Sequence, residues 1–181
     1  WPSQATLTGY PIDANNADWT VPHLKEFLLD LATETGAESI NVIAHSMGNR
    51  AMTAAIRQIS QQHNAADKPL FDRIVLAAPD IDADYFRRDA APALVQVANH
   101  VTLYASSDDQ ALIASRKVNG YPRAGDSGTD IVMNPANPAR VKNGCDRTST
   151  GSALISPLGL AVIWRLGFSS SLAMPGASLQ S

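Results

Sequence analysis

Ser39-Ile40-Asn41-Val42-Ile43-Ala44-His45-Ser46-Met47-Gly48 is the stretch of sequence that decides the fold. Its first six residues form a short run with several β-branched side chains, which is typical of a buried strand. From about Met47 to Gln62, apolar residues recur at three- and four-residue spacing, and this pattern predicts a helix. A buried strand that passes directly into a helix is one repeat unit of a parallel sheet covered by helices.

The same alternation of strand and helix extends on both sides of this stretch. Residues 1–16 contain Pro, Gly and an Asn pair and predict a loop, with Asn16 capping a helix that ends at Gly36. Further strands are predicted at 72–79 and 101–105, a helical stretch interrupted at Pro92 lies between them, and a last helix covers 109–118. Residues 17–118 therefore predict an α/β fold, a mostly parallel sheet with helices on both faces.

Composition and charge exclude several classes of protein. The chain has 181 residues, of which 45% are hydrophobic and 17% charged, so one globular domain is expected rather than a disordered segment. A net charge of −3 gives no basic surface, and we expect no nucleic-acid partner. The single cysteine, Cys145, excludes an internal disulfide and a cysteine metal cluster. No apolar run approaches the roughly 20 residues of a transmembrane helix.

The residues Ala44-His45-Ser46-Met47-Gly48 form the motif that carries chemistry. A serine between a strand and a helix, with small residues two positions before and after, is the arrangement of a nucleophile elbow. The tight turn lifts the hydroxyl clear of the sheet, and the N–H of Met47 then points from the helix N-terminus to where an oxyanion would form. The alternative is that the serine turn merely caps the helix.

Acidic residues follow two of the predicted strands, at the edge where open α/β sheets carry functional groups. Asp108 and Asp109 follow the strand at 101–105, and each could orient a catalytic base or cap the next helix. Asp80, Asp82 and Asp84 follow the strand at 72–79. Three alternating acids could bind a cation, but no other ligand cluster supports this, so helix capping by Asp82 and solvation of the others are favoured.

The general base is missing from the expected place in the sequence. The chain has four histidines, His23, His45, His63 and His100. In the order Ser, Asp, His the base should follow Asp109, and no histidine follows position 100. His45 adjoins the serine but should point differently along the turn, and we expect the other three to lie away from Ser46.

These segments resemble a bacterial branch of the α/β-hydrolase superfamily that is catalogued as hydrolases of unknown function. The similarity covers about residues 1–133, where many pieces occur in the family's order and spacing. It is carried by Trp1-Pro2-Ser3, Tyr10, Asp13, residues 43–49, residues 77–82, Phe86, residues 103–106, residues 109–112, Ser115 and residues 123–126.

The resemblance implies a serine hydrolase of the esterase or lipase type that acts on a small-molecule or lipid ester through an acyl-enzyme. It implies Ser46 as nucleophile, Asp109 rather than Asp108 as the acid and the Met47 N–H in the oxyanion hole. Asp80 matches a strong family position and is a possible functional acid whose role the resemblance does not assign. The chemistry implies no metal and no organic cofactor. The resemblance is compatible with either the bacterial cytoplasm or the periplasm, and we expect no N-terminal targeting region within this chain.

Two departures from the family pattern concern the ends of the chain. Family members carry strands ahead of the Trp-Pro-Ser segment, including a loop with a second oxyanion donor, and they end with a segment that bears the catalytic histidine. We expect this chain to lack both features. Residues 1–133 are therefore expected to be an incomplete hydrolase core. Residues 134–181 are expected to be an atypical tail, disordered or read out of frame, with an authentic divergent tail as the alternative. We expect activity to be impaired, and a non-catalytic binding module with the hydrolase fold is the alternative function.

Overall fold

The computed structural model describes residues 3–4, 6 and 8–126, and two further strands at 140–143 and 160–165. Five helices, one π-helical turn and five strands follow one another in these residues. Their bounds are α1 Tyr10–Glu34, β1 Ser39–His45, α2 Gly48–Ser60, β2 Phe71–Ala77, α3 Ala83–Tyr85, the π-helical turn Phe86–Ala90, α4 Ala91–Val97, β3 Ala98–Ala105, α5 Gln110–Asn119, β4 Arg140–Asn143 and β5 Leu160–Arg165.

The strands form one sheet in the order β4-β3-β2-β1-β5. β1 pairs parallel with β2, β2 with β3, and β3 with β4, whereas β5 pairs antiparallel with β1. The parallel register aligns His45 with Ala77 and Ala77 with Tyr104, so the carboxyl ends of β1, β2 and β3 lie at one edge. The prediction of a partial α/β fold with a mostly parallel sheet is therefore confirmed.

The helix α1 begins seven residues earlier than the sequence predicts, so the loop expected at 1–16 is wrong after residue 9. Pro11 occupies the first turn of the helix, where a missing N–H costs no hydrogen bond. The buried Asp13 side chain accepts hydrogen bonds from Ser3 Oγ at 2.8 Å and from the Gln4 N–H at 2.8 Å. These bonds hold the preceding segment against the start of the helix.

One hydrophobic core lies between the sheet and the helices. α1 packs against α2, and α2 packs against α4. Leu28, Met52, Ile56, Ile74 and Leu103 are among the fully buried side chains, so α1, α2, β2 and β3 all contribute to the same core. This packing fixes the sheet edge at which the polar residues described below meet.

Two strands come from the range that the sequence treats as an atypical tail. β4 and β5 lie within residues 134–181, and the other residues of that range lie outside the described residues. The division at residue 133 stays a prediction. Among the described helices, none combines the length and the apolar character needed to cross a membrane.

Candidate functional site

Ser46 stands in the turn between β1 and α2 with a backbone conformation that is unusual for a serine. Its φ angle is +49°, in the left-handed region that non-glycine residues rarely adopt. The Ser46 N–H donates to the carbonyl of Ala77 at 3.0 Å, and the Ser46 carbonyl accepts from the N–H of Asn49 at 3.1 Å. The turn is therefore bonded both to its own helix and to the end of β2.

Asn49 reinforces this turn with its side chain. Its Nδ2 donates to the carbonyls of Ser46 at 3.1 Å and Ala77 at 3.2 Å, and the residue is completely buried. Its Oδ1 is buried without a hydrogen-bond partner in the described residues. Leaving a buried acceptor unpaired costs free energy, so the two bonds from Nδ2 must offset this cost.

A second strained residue directly follows the neighbouring strand, β2. Ala78 has a φ angle of +43° and precedes Pro79, although a residue before proline strongly prefers an extended backbone. This turn brings the N–H of Asp80 to 3.2 Å from the carbonyl of Ser46. The two strained residues thus directly follow adjacent strands, and hydrogen bonds connect their turns.

The Asp80 carboxylate is the centre of a buried polar cluster. Oδ1 accepts from Arg123 Nε at 2.7 Å and from Ser115 Oγ at 2.6 Å, and Oδ2 accepts from the Tyr10 hydroxyl at 2.9 Å. Arg123 Nη2 also donates to the Asp80 carbonyl at 2.8 Å. Asn119 Nδ2 donates to the Tyr10 hydroxyl at 3.3 Å and to Ser115 Oγ at 3.1 Å. Each charge in this cluster has a partner of opposite sign, as burial requires.

The segment that carries Arg123 runs beside the segment after β2. The N–H of Ala124 donates to the carbonyl of Ile81, and that of Gly125 donates to the carbonyl of Pro79, both at 2.9 Å. A Cβ at Gly125 would lie 2.7 Å from the carbonyl carbon of Ala78 and from the nitrogen of Pro79. Only glycine allows this close approach, which places Arg123 beside Asp80.

Ser46 opens onto a cavity of about 240 Å³, which we name the Ser46 cavity. Its wall contains Ser46 and Met47 from the turn, Tyr10 from α1 and Asp80 after β2. One side of α5 completes the wall with Ala111, Ala114, Ser115 and Val118. Three of the residues singled out in the sequence, Ser46, Met47 and Asp80, therefore meet here.

A second cavity of about 340 Å³ has Asp80, Arg123 and Arg50 in its wall, and we name it the Arg50 cavity. Arg50 donates from Nε and Nη2 to the two carboxylate oxygens of Asp18, both at 2.8 Å. The hydrogen bond with Asp18 raises the pKa of Arg50 above its ordinary value, although burial lowers it in part. The Arg50 guanidinium is therefore positively charged throughout the physiological pH range.

The expected solvation of Asp80 is wrong, because Asp80 is buried, whereas the other two acids after β2 act as helix and surface groups. Asp82 Oδ1 accepts from the N–H of Tyr85 at 2.7 Å, so Asp82 caps α3 as the sequence predicts. Asp84 is exposed and pairs with Arg87. In the part of the chain that the structure describes, no three His, Cys, Asp or Glu side chains come together in a group that could hold a metal ion.

Asp109 is the N-cap of α5. Its Oδ1 accepts from the N–H groups of Ala111 at 2.9 Å and Leu112 at 3.1 Å. The capping role that the sequence leaves open between Asp108 and Asp109 thus belongs to Asp109. The residue is half-buried and is not part of the wall of the Ser46 cavity, so its role as a catalytic acid stays a prediction.

All four histidines lie in the described part of the chain, and none forms a hydrogen bond with Ser46 there. His45 is exposed at the end of β1, and His23 is exposed on α1. His63 follows α2 and has a buried Nε2 without a partner in the described residues. His100 lies inside β3 rather than before it, near the amino end of the strand and opposite Arg73.

The sequence assigns no role to Tyr10, Ser115, Asn119 or Arg123, although the first, second and last of these carry part of the family resemblance. The structure places all four around Asp80. The position of Asp80 directly after a buried strand is a signal for such partners. A carboxylate that is buried there needs a cation or several hydrogen-bond donors. Spacing along the chain does not say which cation, since Arg123 is 43 residues away from Asp80.

Comparison with known proteins gives one result. The family described as alpha/beta hydrolase of unknown function (DUF900) matches residues 1–147. No curated protein and no solved structure matches the chain. The matched range contains the Ser46 turn, the Asp80 cluster and all of α1 to α5. The chain belongs to the family of alpha/beta hydrolases of unknown function.

Proposed function

We propose that the chain is a serine hydrolase of the esterase type, with Ser46 as the nucleophile. The observation that carries this proposal is the φ angle of +49° at Ser46, in a turn that opens onto a cavity. A non-glycine residue in the left-handed region costs about 1–3 kcal/mol, and such residues cluster at functional sites. A serine that only capped α2 would not need this conformation, because a helix cap has an ordinary extended backbone.

The reaction consists of two acyl transfers. Ser46 Oγ forms a bond to the ester carbonyl carbon, the bond from that carbon to the alcohol oxygen breaks, and the serine proton passes through solvent to the departing alkoxide. Water then forms a bond to the acyl carbon, and the bond to Ser46 Oγ breaks. The carboxylic acid leaves and the serine regains a proton, so ester and water give acid and alcohol.

The Met47 N–H supports the charged intermediate of both steps. Met47 directly precedes the first residue of α2, and its N–H has no acceptor among the described residues. The helix N-terminus also favours negative charge. An oxyanion on the acyl carbon would therefore meet a donor that the fold leaves unused, and one such donor contributes about a hundred- to a thousandfold in rate.

The expected rate of Ser46 acylation depends on the acid and the base of the catalytic triad. Asp109 has one carboxylate oxygen, Oδ2, that makes no hydrogen bond in the described residues, and this oxygen could orient a base. None of the four histidines bonds to Ser46, so solvent acts as the proton acceptor in our proposal. An acyl-transfer site without its base retains on the order of 10³- to 10⁴-fold acceleration over water, which predicts slow acylation.

A fluorophosphonate probe tests the assignment of Ser46. We expect slow labelling that intact-protein mass spectrometry detects as one adduct, located in the tryptic peptide 26–50. Ser46→Ala should lose the adduct completely, while Ser39→Ala, which alters another serine of the same peptide, should keep it. A label that persists in Ser46→Ala would refute the assignment. No label in the unaltered chain would also refute it and would favour the non-catalytic binding module.

A further inference from the structure

The walls of the Ser46 cavity show what kind of group fits inside it. Ala111, Ala114 and Val118 lie on one side of α5 and present small apolar side chains. Met47 lines the cavity from the Ser46 turn. The cavity surface beside the nucleophile is therefore mainly hydrocarbon.

The polar groups in the same wall are occupied by one another. The Tyr10 hydroxyl and Ser115 Oγ both donate to the Asp80 carboxylate, and Arg123 balances the charge of that carboxylate. Asn119 in turn donates to both hydroxyl oxygens. The unused Met47 N–H at the Ser46 turn is the exception, and elsewhere in this wall a charged ligand would meet no uncompensated partner, so these residues disfavour a charge on the part of the ligand that lies away from Ser46.

The volume of the Ser46 cavity limits the length of the ligand group that it can hold. The Ser46 cavity, at about 240 Å³, is small for a ligand pocket. Pockets for larger ligands run from about 300 to 1,000 Å³. An unbranched acyl group of four to six carbons fits within this volume, and a long fatty acyl chain does not.

We propose that the Ser46 cavity binds the acyl chain of the substrate, and that the substrate is an ester of a short, uncharged aliphatic carboxylic acid. This inference rests on the proposed function, since it places the carbonyl carbon at Ser46 Oγ. The Arg50 cavity is the less suitable alternative. It is lined by Asp18, Arg50 and Asp82, and Ser46 is not part of its wall.

A series of p-nitrophenyl esters tests the length of the acyl chain. The rate of p-nitrophenolate release is measured for acetate, butyrate, hexanoate and decanoate, and the adduct on Ser46 is identified by mass spectrometry. Each methylene buried in the cavity should raise the acylation rate about fourfold, so butyrate should exceed acetate by roughly tenfold or more. The gain should stop between hexanoate and decanoate.

Two substitutions of alanine by leucine locate the binding of the chain. Ala114→Leu adds three carbons to the wall of the Ser46 cavity and should bring the rate ratio of butyrate to acetate close to one, since the two methylenes by which these acyl groups differ are then no longer buried. Ala54→Leu adds the same three carbons to the Arg50 cavity and should leave the ratio of the unaltered chain unchanged. Ala111→Leu, at an exposed position in the Ser46 cavity wall, replaces Ala114→Leu if that variant does not fold.

The outcomes separate this inference from the proposed function. If Ser46 is acylated but the rates keep rising through decanoate, or if Ala114→Leu behaves like Ala54→Leu, the cavity assignment is overturned and the nucleophile assignment stands. If neither the esters nor the phosphonate forms an adduct on Ser46, both are overturned.

Discussion

Replacing Arg123 by methionine tests whether the Asp80 cluster holds the sheet edge together. The Arg123 and Asp80 side chains are 6% and 5% exposed, and Arg123 Nε lies 2.7 Å from Asp80 Oδ1. Methionine preserves much of the apolar volume of the arginine stem but removes the cation. The Asp80 carboxylate would then keep the hydroxyl donors of Tyr10 and Ser115 and lose its counter-charge.

The expected loss of stability in Arg123→Met follows from the burial of the Arg123–Asp80 ion pair rather than from the distance between the two side chains. Removing one partner of a buried ion pair costs about 3–5 kcal/mol, because the remaining charge stays desolvated. The two remaining hydroxyl donors place Arg123→Met at the lower end, so we expect a loss of about 3 kcal/mol in the free energy of unfolding. For a chain of this size that corresponds to a midpoint temperature about 6–12 °C lower.

Arg88→Met is the matched control for this substitution. Arg88 Nη2 also lies 2.7 Å from a carboxylate oxygen, that of Asp89, but the arginine side chain is 77% exposed. Water screens such a pair, so the midpoint of unfolding should not change measurably. The double variant Asp80→Asn with Arg123→Met removes both charges and should recover most of the loss.

Urea denaturation followed by circular dichroism measures all four proteins under the same conditions. Our reasoning is refuted if Arg123→Met is no less stable than Arg88→Met. It is also refuted if the double variant is no more stable than Arg123→Met, because the loss would then come from packing rather than from an unpaired buried charge.

Three further predictions concern the same sheet edge and are checked by thermal denaturation. Ala78→Gly should raise the free energy of unfolding by up to about 1 kcal/mol, because glycine relieves a left-handed backbone that costs alanine about 1–2 kcal/mol; a loss of stability would contradict the strain. Gly125→Ala should destabilise by about 1–3 kcal/mol, since its Cβ would meet the backbone of Ala78 and Pro79 at 2.7 Å. Asp109→Ala should lower the free energy of unfolding by about 1 kcal/mol through loss of the α5 cap, whereas Asp109→Asn should keep the cap. If Asp109→Asn has unchanged stability but slower phosphonate labelling, Asp109 has a catalytic role.

The order of strands and helices could be predicted because each element has a local signal. The apolar runs of β1 and β2 and the spacing in α2 place these elements within one or two residues of their observed bounds. Errors lie where tertiary contacts decide a boundary. β3 begins at Ala98 instead of Val101, because α4 passes into the strand without a loop and Ala98 already has an extended backbone.

The candidate site could be predicted only where it is local in sequence. Ser46 and Met47 follow from one strand–turn–helix pattern of a few residues. Asp80 was singled out by its position after a strand, but its partners are 35 to 70 residues away, at Ser115, Arg123 and Tyr10. No periodicity connects such positions, since they meet only after α1, α5 and the segment 122–126 have packed against the sheet.

The geometry of Ser46 depends on contacts outside its own motif, and this explains why the motif alone is moderately specific. Ala77, at the end of β2, accepts from the Ser46 N–H, and the Asp80 N–H returns a bond to the Ser46 carbonyl. The β2 end is itself held by β3, because the Ala78 N–H donates to the Tyr104 carbonyl at 2.9 Å. Each strand end thus supports its neighbour, and the strain at Ser46 and Ala78 persists because the surrounding bonds fix both turns. A five-residue motif placed in another fold would lack these acceptors, and its serine would relax to an ordinary helix cap.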